Sequence, residues 1–177
     1  MRASVLIIPG IGNSGPLHWQ TLWELSDNSI SRLSVGDWDH PVCSSWVAAI
    51  DAEVISAKQP LVVAAHSLGC LAFVHWAAQC QRKIRGALLV AAPDPSGPNF
   101  PSEAVGFSKP ARLRLPCKSI VVSSQDDPYA SPDYAKSCAD AWGSAFVDVG
   151  RAGHINAASN LAHWPMGLKL LEGLRVC

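Results

Sequence analysis

One serine in the sequence stands where a nucleophile could be held. In the stretch VVAAHSLGC an apolar run ends at a polar pair, His66 and Ser67, and the small residue Gly69 follows. A serine between a strand and a helix can simply cap the helix with its side-chain oxygen. The spacing also matches the nucleophile elbow G-x-S-x-G, a tight strand-to-helix turn that exposes a serine, with Ala65 in place of the first glycine. The pattern therefore leaves two interpretations of Ser67, a cap or a nucleophile.

A serine hydroxyl is a weak nucleophile, so it needs a base and a third group that orients the base. His154 follows the apolar run AFVDVG, and two aspartates, Asp126 and Asp127, follow the run KSIVVSS. Residues that follow the strands of a parallel sheet meet at its carboxyl edge, where ligands bind. The chain order of serine, acid and histidine is the order found in α/β-hydrolases. These positions predict a serine, acid and histidine set built on Ser67.

The identity of the acid stays open between two neighbours. Asp127 precedes Pro128, which favours an extended backbone and a sharp turn, whereas Asp126 could bond to its own backbone as a turn residue. The residues alone favour Asp127 only slightly. His66 adjoins Ser67, but adjacent side chains across a sharp turn point in different directions, so we expect it to pack or to contact a loop. The other histidines have helix or loop settings without a matching acid: His18, His40, His75 and His163.

Acyl chemistry also needs backbone N–H groups aimed at the developing oxyanion. The N–H of Leu68, the residue after the serine, is one expected donor. The second is expected in the loop PGIGNSG after the first apolar run, where glycines let the backbone approach a substrate. By position we choose the Ile11 N–H, with Gly10 and Gly12 as alternatives. The loop has no lysine, which argues against a Walker A phosphate loop.

The elements that would position these residues alternate between strands and helices. Apolar runs with little strict alternation are typical of parallel strands buried on both faces. Five such runs are SVLIIP, PLVVAA, GALLVAA, KSIVVSS and AFVDVG. The expected helices are His18 to Ser26, Val42 to Ala57, Leu68 to Arg82, Pro132 to Trp142 and Asn160 to Glu172, and Arg32 to Val35 could add an edge strand. The pattern predicts an α/β fold with a mostly parallel sheet of about five or six strands and helices on both faces.

The longest irregular stretch runs from Pro93 to Pro116 and is rich in proline and glycine. It holds too few apolar residues to form a second core, so we expect a loop over the site rather than a cap domain. The 177 residues are expected to form one domain, residues 1–177, since a domain typically takes about 100–200 residues.

The composition excludes several classes of function. Hydrophobic residues make up 49% and charged residues 16%, which argues against disorder. Fourteen basic residues balance fourteen acidic ones without a charged block, so no nucleic-acid partner is expected. The six cysteines form no C-x-x-C pair and are expected to be free thiols, and the histidines lack metal-site spacing, so no metal is expected. The apolar run near the start is too short for a signal peptide or a membrane span, which predicts a cytoplasmic protein without membrane attachment.

Five segments together make the chain resemble a known family, the small serine hydrolases that include the retinoblastoma-binding serine hydrolase of mammals and its bacterial relatives. The segments are IIPGIGNSG, the pair His18-Trp19, the H-S-x-G elbow, the loop Asp126 to Tyr129, and Gly153 to Asn156. The resemblance implies a compact α/β-hydrolase fold without a large cap, and it implies the triad Ser67, Asp127 and His154. The sequence departs from the family pattern at Ala65, which stands in place of the first elbow glycine. It also departs at Leu115 to Ser119, which lacks the glutamate of an L-x-C-x-E stretch, so the retinoblastoma partner is not implied.

These features predict a serine hydrolase that acts on carboxylic esters or amides through an acyl-enzyme and needs no cofactor. His18, Trp19, Tyr129 and Phe100 are the residues expected to line the substrate site. Two alternatives are a non-catalytic interaction module that retains the fold and an acyltransferase. No protein partner can be named from the sequence.

Overall fold

The computed structural model of the protein describes residues 2–80, 82–108 and 110–176. The strands are β1 (Ser4–Ile8), β2 (Ile30–Arg32), β3 (Leu61–His66), β4 (Gly86–Val90), β5 (Lys118–Ser123) and β6 (Ala145–Asp148). The helices are α1 (Trp19–Ser26), α2 (Cys43–Ser56), α3 (Leu68–Gln79), α4 (Pro132–Trp142) and α5 (Pro165–Arg175), with a 3₁₀ turn at Ala157–Ser159.

All six strands lie parallel in one sheet, in the order β2-β1-β3-β4-β5-β6. β3 and β4 occupy the middle of this order, and every residue of both strands is buried. Strands covered on both faces need apolar side chains throughout, which explains the continuous apolar runs. The predicted α/β class, strand number and parallel order are confirmed.

The core forms two layers, one on each face of the sheet. Successive side chains of a strand point to opposite faces, so along β1 Leu6 and Ile8 join one cluster while Val5 and Ile7 join the other. The first cluster includes side chains from α2, α3 and α4, and the second includes side chains from α1 and α5.

Local signals fix the ends of several helices. Ser131 caps α4 by accepting a hydrogen bond from the Tyr134 N–H, Pro132 occupies its first turn, and Gly143 ends it in the left-handed conformation at φ 67°. Helix α3 ends at Gln79, before the expected Arg82; Gln81 lies outside the described residues. Five cysteines in the described part of the chain are free thiols, and Cys177 lies outside it: Cys43, Cys70, Cys80, Cys117 and Cys138.

Two further elements, the edge strand and α5, have bounds that differ from the expected ones by several residues. The edge strand is Ile30–Arg32 rather than Arg32 to Val35, because its pairing starts where Ile30 lies beside Val5 of β1. Helix α5 starts at Pro165 rather than Asn160. The segment before it includes three non-glycine residues at positive φ, Asn160, Ala162 and Trp164, and that backbone cannot continue a right-handed helix.

Candidate active site

Ser67 lies in the turn between β3 and α3, at the carboxyl edge of the sheet. Its backbone has φ 53° and ψ −125°, which is rare for a residue with a side chain. The Ser67 N–H donates to the Val90 carbonyl at 2.9 Å, and its carbonyl accepts from the Cys70 N–H at 2.9 Å. Its side chain makes no capping bond to α3. The structure therefore excludes the simple capping interpretation of this serine.

Close backbone contacts explain the small residues around the turn. A Cβ on Gly69 would lie 2.4 Å from the Ile8 carbonyl oxygen and 2.5 Å from that of Pro9, closer than real atoms approach. A Cβ on Gly10 would lie 2.9 Å from the Cβ of Ser67. The loop between β1 and α1, residues 9–18, is called the β1 loop, and it packs directly against the elbow. Ala65, where the pattern expects glycine, fits fully buried within β3.

His154 and Asp127 lie beside Ser67 in a continuous chain of hydrogen bonds. The His154 Nε2 lies 2.9 Å from the Ser67 Oγ, and the His154 Nδ1 lies 2.9 and 3.0 Å from the two carboxylate oxygens of Asp127. The side chain of Asp127 is 3% exposed and that of His154 is 10% exposed. The Tyr129 N–H also donates to the Asp127 Oδ1, at 2.9 Å. Three separate segments of sequence therefore meet at one point.

The partners determine which nitrogen of His154 carries the proton. A carboxylate only accepts hydrogen bonds, so the Nδ1–H donates to Asp127. The neutral ring then leaves Nε2 as an acceptor for the Ser67 hydroxyl. This arrangement can remove a proton from the serine and hold it on a stabilised ring.

Asp126, the alternative acid, has a different set of contacts. Its Oδ1 accepts from the Ser124 Oγ at 2.9 Å and from the Gly153 N–H at 2.8 Å. The hydrogen bond from Gly153, together with that from Ser124 and the nearby Arg151, lowers the pKa of Asp126. Asp126 therefore connects the loop after β5, residues 124–131, to the segment that carries His154. Its side chain does not bond to the His154 ring.

The two expected oxyanion donors come from the two segments that pack together at the elbow. Leu68 is the first residue of α3, where backbone N–H groups have no partner within the helix. Ile11 lies in the β1 loop, which is fixed by a 2.9 Å hydrogen bond from the Gly12 N–H to the Trp38 carbonyl. Within the described residues neither Leu68 nor Ile11 uses its N–H in a hydrogen bond, and both residues line the cavity at Ser67.

A cavity of about 510 Å³ opens at Ser67 and His154. His18 and Tyr129 line it, and the Tyr129 ring lies 4.5 Å from the His154 ring, centroid to centroid. The remaining lining residues are Gly10, Ile11, Asn13, Gly15, His66, Leu68, Pro93, Asn99, Pro101, Asn156, Ala157 and Ala158. None of the lining residues is lysine, arginine, aspartate or glutamate.

Two residues expected at the substrate site lie elsewhere. Trp19 is 1% exposed and packs inward against Trp23 and Trp164, because it is the first residue of α1 and faces the sheet. Its indole N–H donates to the Ile155 carbonyl at 2.8 Å. Phe100 packs against the core cluster on the α2–α4 face and does not line the cavity. Both predictions of a substrate contact are corrected.

Other cavity residues were not identified from the sequence. Asn99 and Pro101 come from the long loop expected over the site, and Asn156 closes the Gly-His-Ile-Asn segment. The position of Asn156 two residues after His154 was the available signal, whereas the loop residues gave none. His66 makes the expected loop contact, since its Nε2 lies 2.9 Å from the His154 carbonyl oxygen.

A second cavity, of about 420 Å³, contains none of these groups and is lined by Asp94, Ser96, Pro110, Arg112, Tyr134, Cys138 and Trp142. Among the described residues there is no cluster of three or more histidine, cysteine, aspartate or glutamate side chains that could hold a metal ion. The helices of residues 2–80, 82–108 and 110–176 are too short or too polar to span a bilayer.

Comparisons with solved structures show the fold. A YdeN-like hydrolase from Pectobacterium atrosepticum is 32% identical, with a TM-score of 0.87 over 98% of this chain and 91% of that one. The ydeN gene product of B. subtilis is 20% identical, with a TM-score of 0.82 over 97% and 98% of the two chains. A monoacylglycerol lipase from Paleococcus ferrophilus is 14% identical, with a TM-score of 0.72 over 96% and 93%. A search among curated proteins found no significant match.

The comparison with family models also covers nearly the whole chain. The family model described as "Serine hydrolase" matches residues 5–173, a span that includes both the β1 loop and the His154 segment. The expected α/β-hydrolase fold is confirmed, and the protein is a hydrolase. The chain belongs to the serine hydrolase family.

Proposed function

We propose that the protein hydrolyses carboxylic esters or amides with Ser67 as nucleophile, His154 as general base and acid, and Asp127 as the group that orients His154. The observation that carries the proposal is the hydrogen-bond chain from Ser67 Oγ through His154 to Asp127, with each link between 2.9 and 3.0 Å. A nucleophile, a base within hydrogen-bond reach and an orienting group are the requirements for activating a serine.

In the proposed reaction the Ser67 Oγ attacks the acyl carbonyl while its proton moves to the His154 Nε2. The Leu68 and Ile11 N–H groups stabilise the oxyanion of the tetrahedral intermediate. His154 then returns the proton to the leaving alcohol or amine, and an acyl-Ser67 ester remains. Water attacks this ester with His154 again taking the proton, and the released acid restores the free serine.

The charge of the cavity favours a neutral substrate. Its lining offers amide, imidazole and phenol groups but no lysine or arginine that could pair with an anion. An anionic substrate would lose hydration on entering without gaining a charged partner. We therefore expect kcat/KM for p-nitrophenyl butyrate to exceed that for mono-p-nitrophenyl succinate, which replaces the terminal methyl group by a carboxylate. Equal values would contradict this preference.

A pair of serine substitutions separates the nucleophile from the helix cap. Ser67→Ala should lower kcat by roughly 10⁴-fold or more and abolish labelling by a fluorophosphonate probe, with no loss of a capping bond. Ser131→Ala removes a real cap, so it should lower the free energy of unfolding by about 1 kcal/mol and leave turnover intact. Turnover and labelling that survive in Ser67→Ala would refute the proposed nucleophile.

The acid assignment has its own test. Asp127→Asn should lower kcat by roughly 10³–10⁴-fold, since the amide disturbs the His154 tautomer. Asp133→Asn, at an exposed aspartate in the first turn of α4, serves as the control and should keep full turnover. A wild-type protein that is folded but neither labels nor turns over any ester would rule out the proposed function.

A further inference from the structure

Two successive carbonyl groups at His154 each accept a hydrogen bond from a buried ring. The His66 Nε2 lies 2.9 Å from the His154 carbonyl oxygen, and the Trp19 Nε1–H donates to the Ile155 carbonyl at 2.8 Å. His66 is 5% exposed and Trp19 is 1% exposed. One ring comes from the end of β3 and the other from the start of α1. The backbone that carries His154 is therefore held from two separate elements.

This backbone is strained and needs such support. Ile155 has φ 48°, in a region that β-branched residues rarely adopt, and its side chain is fully buried. Gly153, on the other side of His154, has φ 55°. The Ile155 N–H bonds locally to the Ala152 carbonyl at 3.1 Å, which closes a tight turn. Strained conformations persist only where the surroundings hold them, and here the two ring donors form part of those surroundings.

The chemistry of His66 suits it to this role. A carbonyl only accepts, so the His66 Nε2 must carry a proton. Burial lowers the pKa of His66 well below 6.5, and the nearby His154 and His18 lower it further, so the ring is neutral at pH 7. Its centroid lies 4.9 Å from that of His154. A neutral neighbour adds no repulsion when His154 takes the proton from Ser67.

We infer that Trp19 and His66 are positioning residues for His154: their ring N–H groups hold the His154 and Ile155 carbonyls so that the His154 Nε2 stays aligned with the Ser67 Oγ. The inference rests on the proposed function of Ser67 and His154. Trp19 does not reach the substrate cavity. His66 lines that cavity, but its Nε2 is committed to the His154 carbonyl. Small misalignments of a catalytic group lower kcat because the reacting atoms leave their productive geometry.

The molecule provides a matched control for Trp19. Trp23 lies one turn further along α1, is fully buried, and donates its Nε1–H to the His163 carbonyl at 2.6 Å. The two indole rings lie 4.4 Å apart, centroid to centroid. Trp19→Phe and Trp23→Phe each delete one buried indole N–H and leave a ring, but only Trp19→Phe releases the His154 segment.

The test compares the two variants with wild type in thermal unfolding, steady-state kinetics on p-nitrophenyl butyrate and the rate of fluorophosphonate labelling. We expect similar losses of Tm in both variants. Only Trp19→Phe should lower kcat, by roughly 10- to 100-fold, with KM nearly unchanged and labelling slowed in proportion. Equal kcat values in the two variants, or a change confined to KM, would overturn the inference.

A second pair of variants keeps the test decisive if Trp19→Phe does not fold. His66→Gln retains a neutral N–H donor near the position of Nε2, whereas His66→Leu removes it. The expected result is a higher kcat for His66→Gln than for His66→Leu at similar KM, and equal kcat values would contradict the role. An inactive, unlabelled wild-type protein would instead show failure of the proposed function, which separates the two outcomes.

Discussion

At the scale of single residues, the conformation of Ser67 is the most unusual feature of the site. A non-glycine residue held in a rare backbone region costs about 1–3 kcal/mol. Hydrogen bonds to Val90 and from Cys70 hold it there. This strained conformation turns the Ser67 hydroxyl away from α3 and towards His154, whose Nε2 lies 2.9 Å from the Ser67 Oγ.

His18 shows how burial changes the behaviour of a titratable group. It precedes α1, and its Nδ1 accepts a hydrogen bond from the Gln20 N–H at 3.2 Å, so it caps the helix in its neutral form. Burial lowers its pKa from 6.5 to about 4, and the charges of Arg32 and His154 add to the effect. Protonation would remove the capping acceptor as well as bury a charge.

This shift predicts that the protein loses stability in mild acid. Because the folded-state pKa of His18 is depressed, the unfolded chain takes up the proton first as the pH falls. The stabilisation of the folded state by neutral His18 is therefore complete above pH 6.5 and is lost as the pH falls towards 4. Between pH 7 and pH 5 the loss from His18 should be about 1–2 kcal/mol, measured by urea unfolding.

The matched variant is His18→Asn, since asparagine is a good helix cap without a titratable ring. It should lose less unfolding free energy between pH 7 and pH 5 than wild type. Gln59→Asn, which changes an exposed side chain without a titratable group, should show the same pH dependence as wild type. Identical pH dependence in wild type and His18→Asn would contradict the assignment.

At the scale of elements, the site depends on how closely the β1 loop approaches the start of α3. β1 and β3 are paired neighbours, with Ile8 beside Ala65. The chain leaving β1 therefore passes directly over the turn after β3. Gly69 is the point of closest contact, since its missing side chain leaves room for the Ile8 and Pro9 carbonyls. This contact brings Ile11 to the same cavity as Leu68.

Adding one methyl group at Gly69 should disrupt this packing. Gly69→Ala forces a Cβ within 2.4 Å of a backbone oxygen, so either the loop or the helix must move. We expect a loss of roughly 2–3 kcal/mol in the free energy of unfolding together with a large loss of hydrolase activity. Gly36→Ala is the control, because a Cβ there meets open space. Wild-type stability and turnover in Gly69→Ala would contradict the close packing of Gly69 against the Ile8 and Pro9 carbonyls.

At the scale of the whole molecule, one buried cation connects the two ends of the described chain. Arg175, the last residue of α5, has no exposed surface. It donates to the Ala3 carbonyl at 2.8 Å, to Asp27 at 2.9 Å and to Glu172 at 3.0 Å, and it also bonds to Ser29. These contacts fasten α5 to the start of β1 and to the turn between α1 and β2.

Removing Arg175 should destabilise the fold without a direct effect on the site. Arg175→Ala leaves the Ala3 carbonyl without this donor and removes one cation from Asp27, whose side chain is 22% exposed and keeps Arg2 at 3.2 Å. We therefore expect a loss of about 1–3 kcal/mol in the free energy of unfolding. Lys169→Ala changes an exposed lysine on the same helix and should alter stability by less than about 0.5 kcal/mol. Urea unfolding of both variants measures the difference, and equal midpoints would argue against the role of Arg175.

The bounds of the strands and helices show which features the sequence patterns could predict and which they could not. The central strands were predicted because burial on both faces requires uninterrupted apolar residues, as in β3 and β4. The edge strand β2 has only three residues and an exposed middle residue, so its position depended on register with β1. The start of α5 depended on backbone turns at Asn160 and Ala162 that no apolar periodicity records.

The sequence by itself determined the fold class and the group of residues that would meet at one edge of the sheet. Parallel strands end on the same side, so the residues that follow β3, β5 and β6 had to come together, and Ser67, Asp127 and His154 follow those strands. Their catalytic roles stay a prediction until the variants are measured. Only the tertiary structure decided what Trp19 does, because the direction of a side chain depends on how its helix docks. It also decided which loop residues line the cavity, since loops carry no periodic signal of the surface they will meet.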